Sequence, residues 1–363
     1  MIGRSLNLSD RPDLHPMARR VWRRSASAVG SRAMEQDILS DVLRSVRLSG
    51  AIFFEVDVAS PWVAAAPPSR SIASLVIPGA QHVIEYHVLV EGTCWARVTI
   101  PGSGPPIRLS AGSIVAFPHG DAHVLASHPE LNAEPDLSNF DQAARAESLP
   151  FHLDYRDGGT RSAQIICGFL GCDVAPFNPL ITSLPRVMHI PNGYGSSGDG
   201  FLSHLICATV RETHAKGVGS GGVLSKLSEL IFIEVIRRYA EALPPDAGGW
   251  LAGLRDVGVG RALRLLHAEP VRDWTVAGLA REAGVSRTVL AERFTRLLGM
   301  PPMTYLANWR MQRAAALLSA GPMPLSQVAD EVGYESEASF SRAFKRGTGV
   351  SPGRWRKNAI AGR

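Results

Sequence analysis

The side chains best suited to bind a ligand are three histidines and a glutamate in the N-terminal half. His82, Glu85 and His87 lie close together along the chain, and His123 follows a turn rich in glycine and proline. Neutral imidazoles and carboxylates bind Zn, Fe or Mn, and the same groups hydrogen-bond small molecules inside apolar cavities. These side chains therefore indicate a metal site, a ligand pocket or hydrogen-bonded structure inside a barrel.

A second chemically useful pattern lies near the C-terminus, in two similar segments. The first is Leu279-Ala-Arg-Glu-Ala-Gly-Val-Ser286, and the second is Val328-Ala-Asp-Glu-Val-Gly-Tyr-Glu-Ser336. In each segment, apolar residues at helical spacing precede a glycine that permits a sharp turn. A serine suited to cap the next helix follows the glycine. The repeat predicts two helix-turn-helix units.

The second helix of each unit would leave one face free to enter the major groove of DNA. There, Arg bonds to guanine, Glu accepts from cytosine, and Ala or Thr contacts the thymine methyl group. Arg342 is the strongest candidate for a base contact, whereas Arg296, Lys345 and Arg346 are better placed for phosphates. The residues predicted to contact DNA are Ser286, Arg287, Thr288, Ala291, Glu292, Arg296, Ser336, Glu337, Ala338, Ser341, Arg342, Lys345 and Arg346.

The segment from Pro302 to Leu318 joins the two units, and its apolar residues fall on one stripe of a continuous helix: Ala307, Met311, Ala314 and Leu318. A rigid spacer would let one chain contact two major-groove segments about 34 Å apart. The charge distribution agrees, because the chain carries +5 overall but about 17 basic and 9 acidic residues from Trp250 onward, roughly +8. Double-stranded DNA is therefore the predicted partner.

The run from Trp274 to Trp355 resembles the DNA-binding domain of the AraC/XylS family of transcription regulators. Its linker helix begins at Pro301-Pro302-Met303-Thr304-Tyr305, and Gly349-Val350-Ser351-Pro352 closes the second unit. The resemblance implies a regulator, usually an activator, that binds promoter DNA through both recognition helices and acts with RNA polymerase. We expect no catalytic residues and no enzymatic activity.

The N-terminal half has a different pattern of residue types. Between about Ala51 and Leu125, short β-branched and aromatic runs alternate with glycine and proline turns, which predicts an all-β domain. Glu85-x6-Gly92 and Gly112-x5-Pro118-x-Gly120-x2-His123 resemble the two motifs of the cupin superfamily. The resemblance implies a sensor of the type found in front of many AraC-type DNA-binding domains. The predicted fold class is α+β, a cupin-like β-barrel followed by an all-α domain of two helix-turn-helix units joined by a long helix.

A small-molecule pocket is the favoured interpretation of the barrel. The His-x-His pair that supplies most ligands in metal-binding cupins is missing, because Gly79 and Gln81 occupy that region. We therefore predict no metal ligands and no cofactor. A filled barrel without any ligand remains an alternative. The residues predicted to line a pocket for an effector are Trp62, His82, His87, Trp95, Phe117 and His123.

Four regions are predicted along the chain. Residues 1–33, rich in Arg and Ser, form a disordered tail; residues 34–198 form the sensor; residues 199–249 form a helical connection; and residues 250–363 form the DNA-binding domain. The connection carries an apolar stripe that either packs within the chain or contacts a second copy in a homodimer: Leu224, Leu227, Leu230, Ile231 and Val235.

Composition excludes several classes of protein. No stretch reaches the roughly 18 apolar residues that cross a bilayer, and four cysteines without a Cys-x-x-Cys pair fit a cytoplasmic chain without disulfides. Two alternative functions remain. One is a metal-dependent cupin enzyme fused to a DNA-binding domain. The other is an architectural DNA binder whose affinity depends on salt but little on sequence.

Overall fold

A curled sheet of nine strands makes up most of the N-terminal half. The computed structural model describes residues 37–146, 149–191, 200–215 and 217–361, so the predicted tail over residues 1–33 lies outside it. The strands are β1 (Ser49–Val58), β2 (Val63–Ala66), β3 (His82–Val98), β4 (Ile107–Ser110), β5 (Ile114–Phe117), β6 (His123–Ala126), β7 (Phe151–Tyr155), β8 (Ala163–Cys172) and β9 (Met188–Ile190).

The long strand β3 organises the sheet. It pairs with β8 over most of its first part, with β5 along its other edge, and with β4 and β6 in its second part. A bulge between Leu89 and Glu91 interrupts its pairing with β8. Because a bulge adds one residue, the side chains beyond it point to the opposite face from the one that simple alternation predicts.

Helices pack against both faces of this sheet. Those of the N-terminal half and the connection are α1 (Ile38–Ser45), α2 (Ala73–Val76), α3 (Ser138–Ala144), α4 (Pro179–Ser183), α5 (Phe201–Ala215) and α6 (Ser220–Ala242). Helix α6 lies very close to β1, because a Cβ on Gly50 would be only 2.7 Å from the Ser225 carbonyl oxygen. Both faces of the sheet are therefore buried, and strand β8 has no exposed residue.

Tyr86 connects β3 to α6 through a buried hydrogen bond. Its ring occupies the space left by Gly168, where a Cβ would lie 2.2 Å from Tyr86 Cζ. Its hydroxyl donates to Ser228 Oγ at 2.8 Å, and both side chains are fully buried.

We expect Tyr86→Phe to lower the free energy of unfolding by about 1 kcal/mol, because the substitution keeps the ring but removes one buried hydrogen bond. Urea unfolding of Tyr86→Phe, Ser228→Ala and the double variant would measure the coupling of the two groups. Strictly additive losses would contradict a hydrogen bond that contributes to stability.

The C-terminal part is entirely helical within the described residues. Its helices are α7 (Trp250–Arg255), α8 (Val257–Ala268), α9 (Val276–Ala283), α10 (Arg287–Leu298), α11 (Pro302–Ala320), α12 (Leu325–Glu331), α13 (Glu337–Thr348) and α14 (Pro352–Ala361). The predicted fold class, with a cupin-like sheet preceding two helix pairs joined by a long helix, is confirmed. None of the helices within the described residues is long and apolar enough to cross a bilayer.

The two helix pairs belong to different hydrophobic cores. The pair α9–α10 shares one continuous cluster with the outer face of the sheet and with α5 and α6. The pair α12–α13 has a separate, smaller cluster built around Phe340 and Phe344. The linker helix α11 contributes Tyr305 and Trp309 to the large cluster and Met311 to the small one. The first helix pair is thus joined to the N-terminal half, whereas the second has its own core.

Gln312 lies where α11 passes from the large core to the small one. It is 1% exposed. Its Oε1 accepts from the Phe177 backbone N–H, and its Nε2 donates to the Ser45 carbonyl oxygen, each at 3.1 Å. One side chain on the linker helix therefore satisfies two backbone groups of the N-terminal half.

Several local expectations need correction. Ala307 was expected on the buried stripe of α11 but is exposed, because α11 packs against both cores and buries more than one stripe. In α6, Leu224, Ile231 and Val235 are buried within the chain and are unavailable to a second copy, whereas Leu230 is 40% exposed. The described residues from Ile38 onward form one compact unit, and the boundaries at 198/199 and 249/250 stay predictions.

Candidate functional site

The first helix pair is shaped by two caps and a glycine. Thr275 caps α9 by accepting from the Gly278 N–H, and the helix ends at Gly284, whose φ of +76° is left-handed. Ser286 then caps α10, with its Oγ accepting from the Val289 N–H at 3.2 Å. Leu290, Phe294 and Leu297 on α10 are buried. The opposite face of α10 is consequently free.

The second pair repeats this design. Gly333 has a φ of +75°, and a Cβ there would also lie 2.9 Å from Val271 Cα, so two independent constraints favour glycine. Ser336 caps α13 by accepting from the Ser339 N–H at 3.2 Å. Phe340 and Phe344 are 0% exposed. Helices α10 and α13 thus each present one polar face to solvent.

None of the residues predicted to contact DNA is buried. Ala291 and Ser341 are half-buried, and the other predicted contact residues are exposed. Ser286 and Ser336 accept a backbone N–H as helix caps, so any phosphate contact of theirs would use the hydroxyl hydrogen. The structure describes the faces without DNA, and the individual contacts stay predictions.

Arg310 fixes the geometry between the two pairs, and sequence reasoning missed it. From the linker helix, its Nε donates to the Pro270 carbonyl oxygen at 2.7 Å, and its Nη2 donates to that of Arg272 at 3.0 Å. Its Nη1 reaches the Gly333 carbonyl oxygen in the second turn at 3.5 Å. A guanidinium that bonds to backbone on both sides restricts how the helices move relative to each other. Composition alone carries no signal for this role.

A cavity of about 430 Å³ lies inside the curled sheet. Most of its walls are apolar, and Trp62 lies along them with an indole N–H that has no hydrogen-bond partner in the described residues. The inner end is polar and is formed by Glu85, His87 and His123, all buried. Three exposed carboxylates line the outer part of the cavity, those of Glu134, Asp136 and Asp157.

The predicted pocket residues are only partly brought together. Trp62, His87 and His123 line the cavity, while Phe117 lies behind it, with its ring stacked on His123 at 3.6 Å between centroids. His82 and Trp95 do not line it. His82 lies on the other face of β3 from Glu85 and His87, because side chains alternate along a strand. Trp95 lies beyond the bulge, which turns Cys94 and Ala96 inward instead.

The polar end of the cavity is held in place by neighbours. Glu85 Oε1 accepts from Ser69 Oγ at 2.7 Å, and His123 Nδ1 donates to the Asp121 carbonyl oxygen at 2.9 Å. His87 Nε2 lies 2.7 Å from His123 Nε2. Gly120 makes room for Ser69, since a Cβ on Gly120 would lie 2.7 Å from Ser69 Oγ. Gly120 of the second motif therefore allows the turn and also leaves space for the Ser69 side chain that bonds to Glu85.

Burial controls the charge of this group. It raises the pKa of Glu85 to about 8, and it lowers the pKa of His123 to about 4 and that of His87 well below its usual range. All three side chains are therefore neutral near pH 7 when nothing is bound. A buried neutral cluster is compatible with hydrogen bonding and, after loss of the Glu85 proton, with metal binding.

The same residues also fit a divalent metal of the kind that metal-binding cupins hold, although the missing His-x-His pair predicted none. Each offers one ligand atom, and the three atoms lie within 4.8 Å of one another. Glu85 Oε2 is buried without a hydrogen-bond partner in the described residues. Two imidazole nitrogens and one carboxylate oxygen form a donor set common to Zn and non-haem Fe proteins.

Comparisons with known proteins agree with both motif regions. A family model described as Cupin matches residues 37–241, and one described as Helix-turn-helix domain matches residues 279–358. A protein of Streptomyces antibioticus named as an AraC-like transcription regulator is 34% identical over 80% of this chain and 95% of its own length.

Two further relatives carry more specific names. The HTH-type transcriptional regulator AlkR of Acinetobacter baylyi is 29% identical over 76% of this chain and 91% of its own length. The RCS-specific HTH-type transcriptional activator RclR of Escherichia coli is 26% identical over 77% of this chain and 86% of its own length.

Proposed function

Because the chain belongs to the AraC-like family of transcription regulators, we propose that α10 and α13 read promoter DNA and that the cavity inside the sheet receives the effector. The relatives are named as transcription regulators, and the matched models describe a cupin followed by a helix-turn-helix domain. The assignment of roles to particular helices and residues goes further and rests on the geometry described above.

One observation carries the DNA-reading proposal. Both recognition helices bury phenylalanines on one side and expose polar residues on the other, and Arg310 bonds to backbone beside each pair. An α-helix fits the major groove, and two helices held at a constant spacing suit two successive groove segments. RNA polymerase contact, activation and a cytoplasmic location are proposed from family membership alone.

Selection from a random DNA library with the full chain at physiological salt tests this function. We expect a recurrent site with two contacted blocks about one helical turn apart. An affinity for DNA that falls steeply with salt concentration but does not depend on the DNA sequence would instead support the architectural alternative.

Arg342 is proposed to contact a base. It is exposed on α13 and none of the hydrogen bonds or ion pairs assigned within the described residues involves its guanidinium. We expect Arg342→Ala to weaken binding to the selected site by about 1–3 kcal/mol and to relax preference at one base position. Binding assays on single-base site variants would measure both effects.

Arg108→Ala is the matched control, because Arg108 is an exposed arginine on β4, far along the chain from both helix pairs. It removes the same charge and should leave the affinity nearly unchanged. Equal losses in the two variants would show that Arg342 acts only through net charge.

A small molecule suits the cavity by size and lining. The volume of about 430 Å³ falls within the roughly 300–1,000 Å³ of ordinary ligand sites. Apolar walls provide area for burial, and the neutral polar end provides directional hydrogen bonds. The carboxylates along the outer part disfavour anions, so an uncharged or cationic effector is proposed.

A further inference from the structure

We propose that Glu85, His87 and His123 bind one divalent transition-metal ion at the inner end of the cavity, through Glu85 Oε2 and the Nε2 atoms of both histidines. The His-x-His pair common in metal-binding cupins is missing here, and His87, two residues after the glutamate on the same face of β3, supplies the second nitrogen. The proposal deepens the assigned role of the cavity and rests on it only for the link to sensing.

The hydrogen bonds around the three side chains define which of their atoms can bind an ion. A carbonyl oxygen can only accept, so His123 Nδ1 carries the hydrogen in its bond to Asp121. In the neutral ring, His123 Nε2 is then a bare lone pair that accepts from His87 Nε2–H at 2.7 Å. His87 Nε2 can bind an ion once its hydrogen moves to Nδ1, which has no hydrogen-bond partner in the described residues. Glu85 Oε1 is occupied by Ser69, which leaves Oε2 as the free carboxylate oxygen.

Residues that bind a metal ion commonly hydrogen-bond to a second group through an atom that does not contact the ion. Ligating histidines commonly donate their second ring N–H to a backbone carbonyl, and ligating carboxylates are themselves hydrogen-bonded. Phe117 stacks on His123 and restricts the orientation of its ring. Glu85 and His123 are thus positioned by neighbours before any ion arrives.

The distances are close to those of a metal site. Metal–nitrogen bonds of about 2.0–2.1 Å separate tetrahedral donors by about 3.3 Å. The two Nε2 atoms lie 2.7 Å apart, and Glu85 Oε2 lies 3.9 Å from His123 Nε2. These two separations bracket the required value, so small side-chain adjustments suffice. Three protein ligands also leave a coordination position for a donor from the cavity.

An unpaired oxygen at the inner end and carboxylates along the outer part of the cavity favour a cation as occupant. Glu85 Oε2 has no hydrogen-bond partner in the described residues, and leaving such a buried group unpaired costs about 1–3 kcal/mol. The carboxylates of Glu134, Asp136 and Asp157 line the outer part of the same cavity and attract cations toward it.

Cobalt binding to the full-length protein tests the proposal. After chelator treatment and dialysis, CoCl₂ would be titrated while visible absorption is recorded, and ZnCl₂ would be followed by calorimetry. We expect saturation at one ion per chain. Thermal unfolding should also shift upward with added metal, because an ion that binds only the folded state stabilises it.

Near-isosteric substitutions identify the ligands. Glu85→Gln and His87→Gln should weaken cobalt binding by more than the roughly 10–100-fold that loss of an outer-sphere partner costs, and Ser69→Ala should fall within that range. His82→Gln is the matched control, because His82 is on the same strand but bonds to the Pro118 carbonyl oxygen on the other face. It should bind cobalt like the unaltered protein.

Three outcomes would overturn the proposal: no saturable binding by the unaltered protein, equal binding by Glu85→Gln and His87→Gln when both are folded by circular dichroism, or equal loss in His82→Gln. An intense near-ultraviolet sulfur-to-cobalt band would also overturn it, since it would place the nearby Cys167 among the ligands. A DNA motif recovered without any metal binding would refute the metal site alone.

Discussion

Phe344→Ala is expected to unfold the second helix pair while leaving the sensor and the first pair folded. Phe344 is 0% exposed and packs against Phe340 and Trp355 with ring centroids 5.6 Å apart in each case. Removing a buried phenylalanine costs about 3–5 kcal/mol. Since the whole stability of a domain is about 5–15 kcal/mol, a small separate core cannot absorb this loss. Recognition by α13 should be lost with it.

Phe294→Ala provides the matched comparison. Phe294 is also 0% exposed, but it belongs to the large core that the first pair shares with the sensor. Urea unfolding followed by hydrogen exchange should show early opening of residues 325–361 in Phe344→Ala and a weakened main transition in Phe294→Ala. One cooperative transition that shifts equally in both variants would show that the two cores unfold as one.

Gln312→Ala is expected to lower the free energy of unfolding by several kcal/mol and to loosen the linker helix from the N-terminal half. The substitution leaves the buried Phe177 N–H without its partner, at about 1–3 kcal/mol, and the part-buried Ser45 carbonyl oxygen adds a smaller loss. Hydrogen exchange at the Phe177 amide is the direct measurement, because that amide should lose protection more than its neighbours.

Gln327→Ala is the control, since Gln327 is exposed on α12. Its effect on unfolding should stay within about 0.5 kcal/mol, as for most surface substitutions. If Gln312→Ala also falls within that range and the Phe177 amide keeps its protection, the buried amide does not hold the two parts together.

The helix-turn-helix repeat could be predicted because its signals are local. Helical spacing, a left-handed glycine and a serine cap each act within a few residues, and the structure places them at Gly284, Ser286, Gly333 and Ser336 as expected. The cupin motif likewise placed His123 beside Glu85. These patterns led directly to the AraC-like and cupin families, and the comparisons confirmed both.

The pocket could be predicted only in part. Residue types pointed to Trp95 as well as His87, and simple alternation would put both on one face of β3. The bulge between Leu89 and Glu91 reverses that alternation, and it depends on pairing with β8, more than sixty residues away in the chain. No local sequence pattern predicts this change of register.

By itself the sequence determined the family, the two recognition helices and the outline of a cupin sensor, because these depend on short-range periodicity, caps and turns. Only the tertiary structure decided that Glu85, His87 and His123 converge, that Gln312 and Arg310 bond across elements, and that the two helix pairs have separate cores. Those features depend on which surfaces meet when distant segments pack, and a buried glutamine looks like an exposed one until its partners are in place.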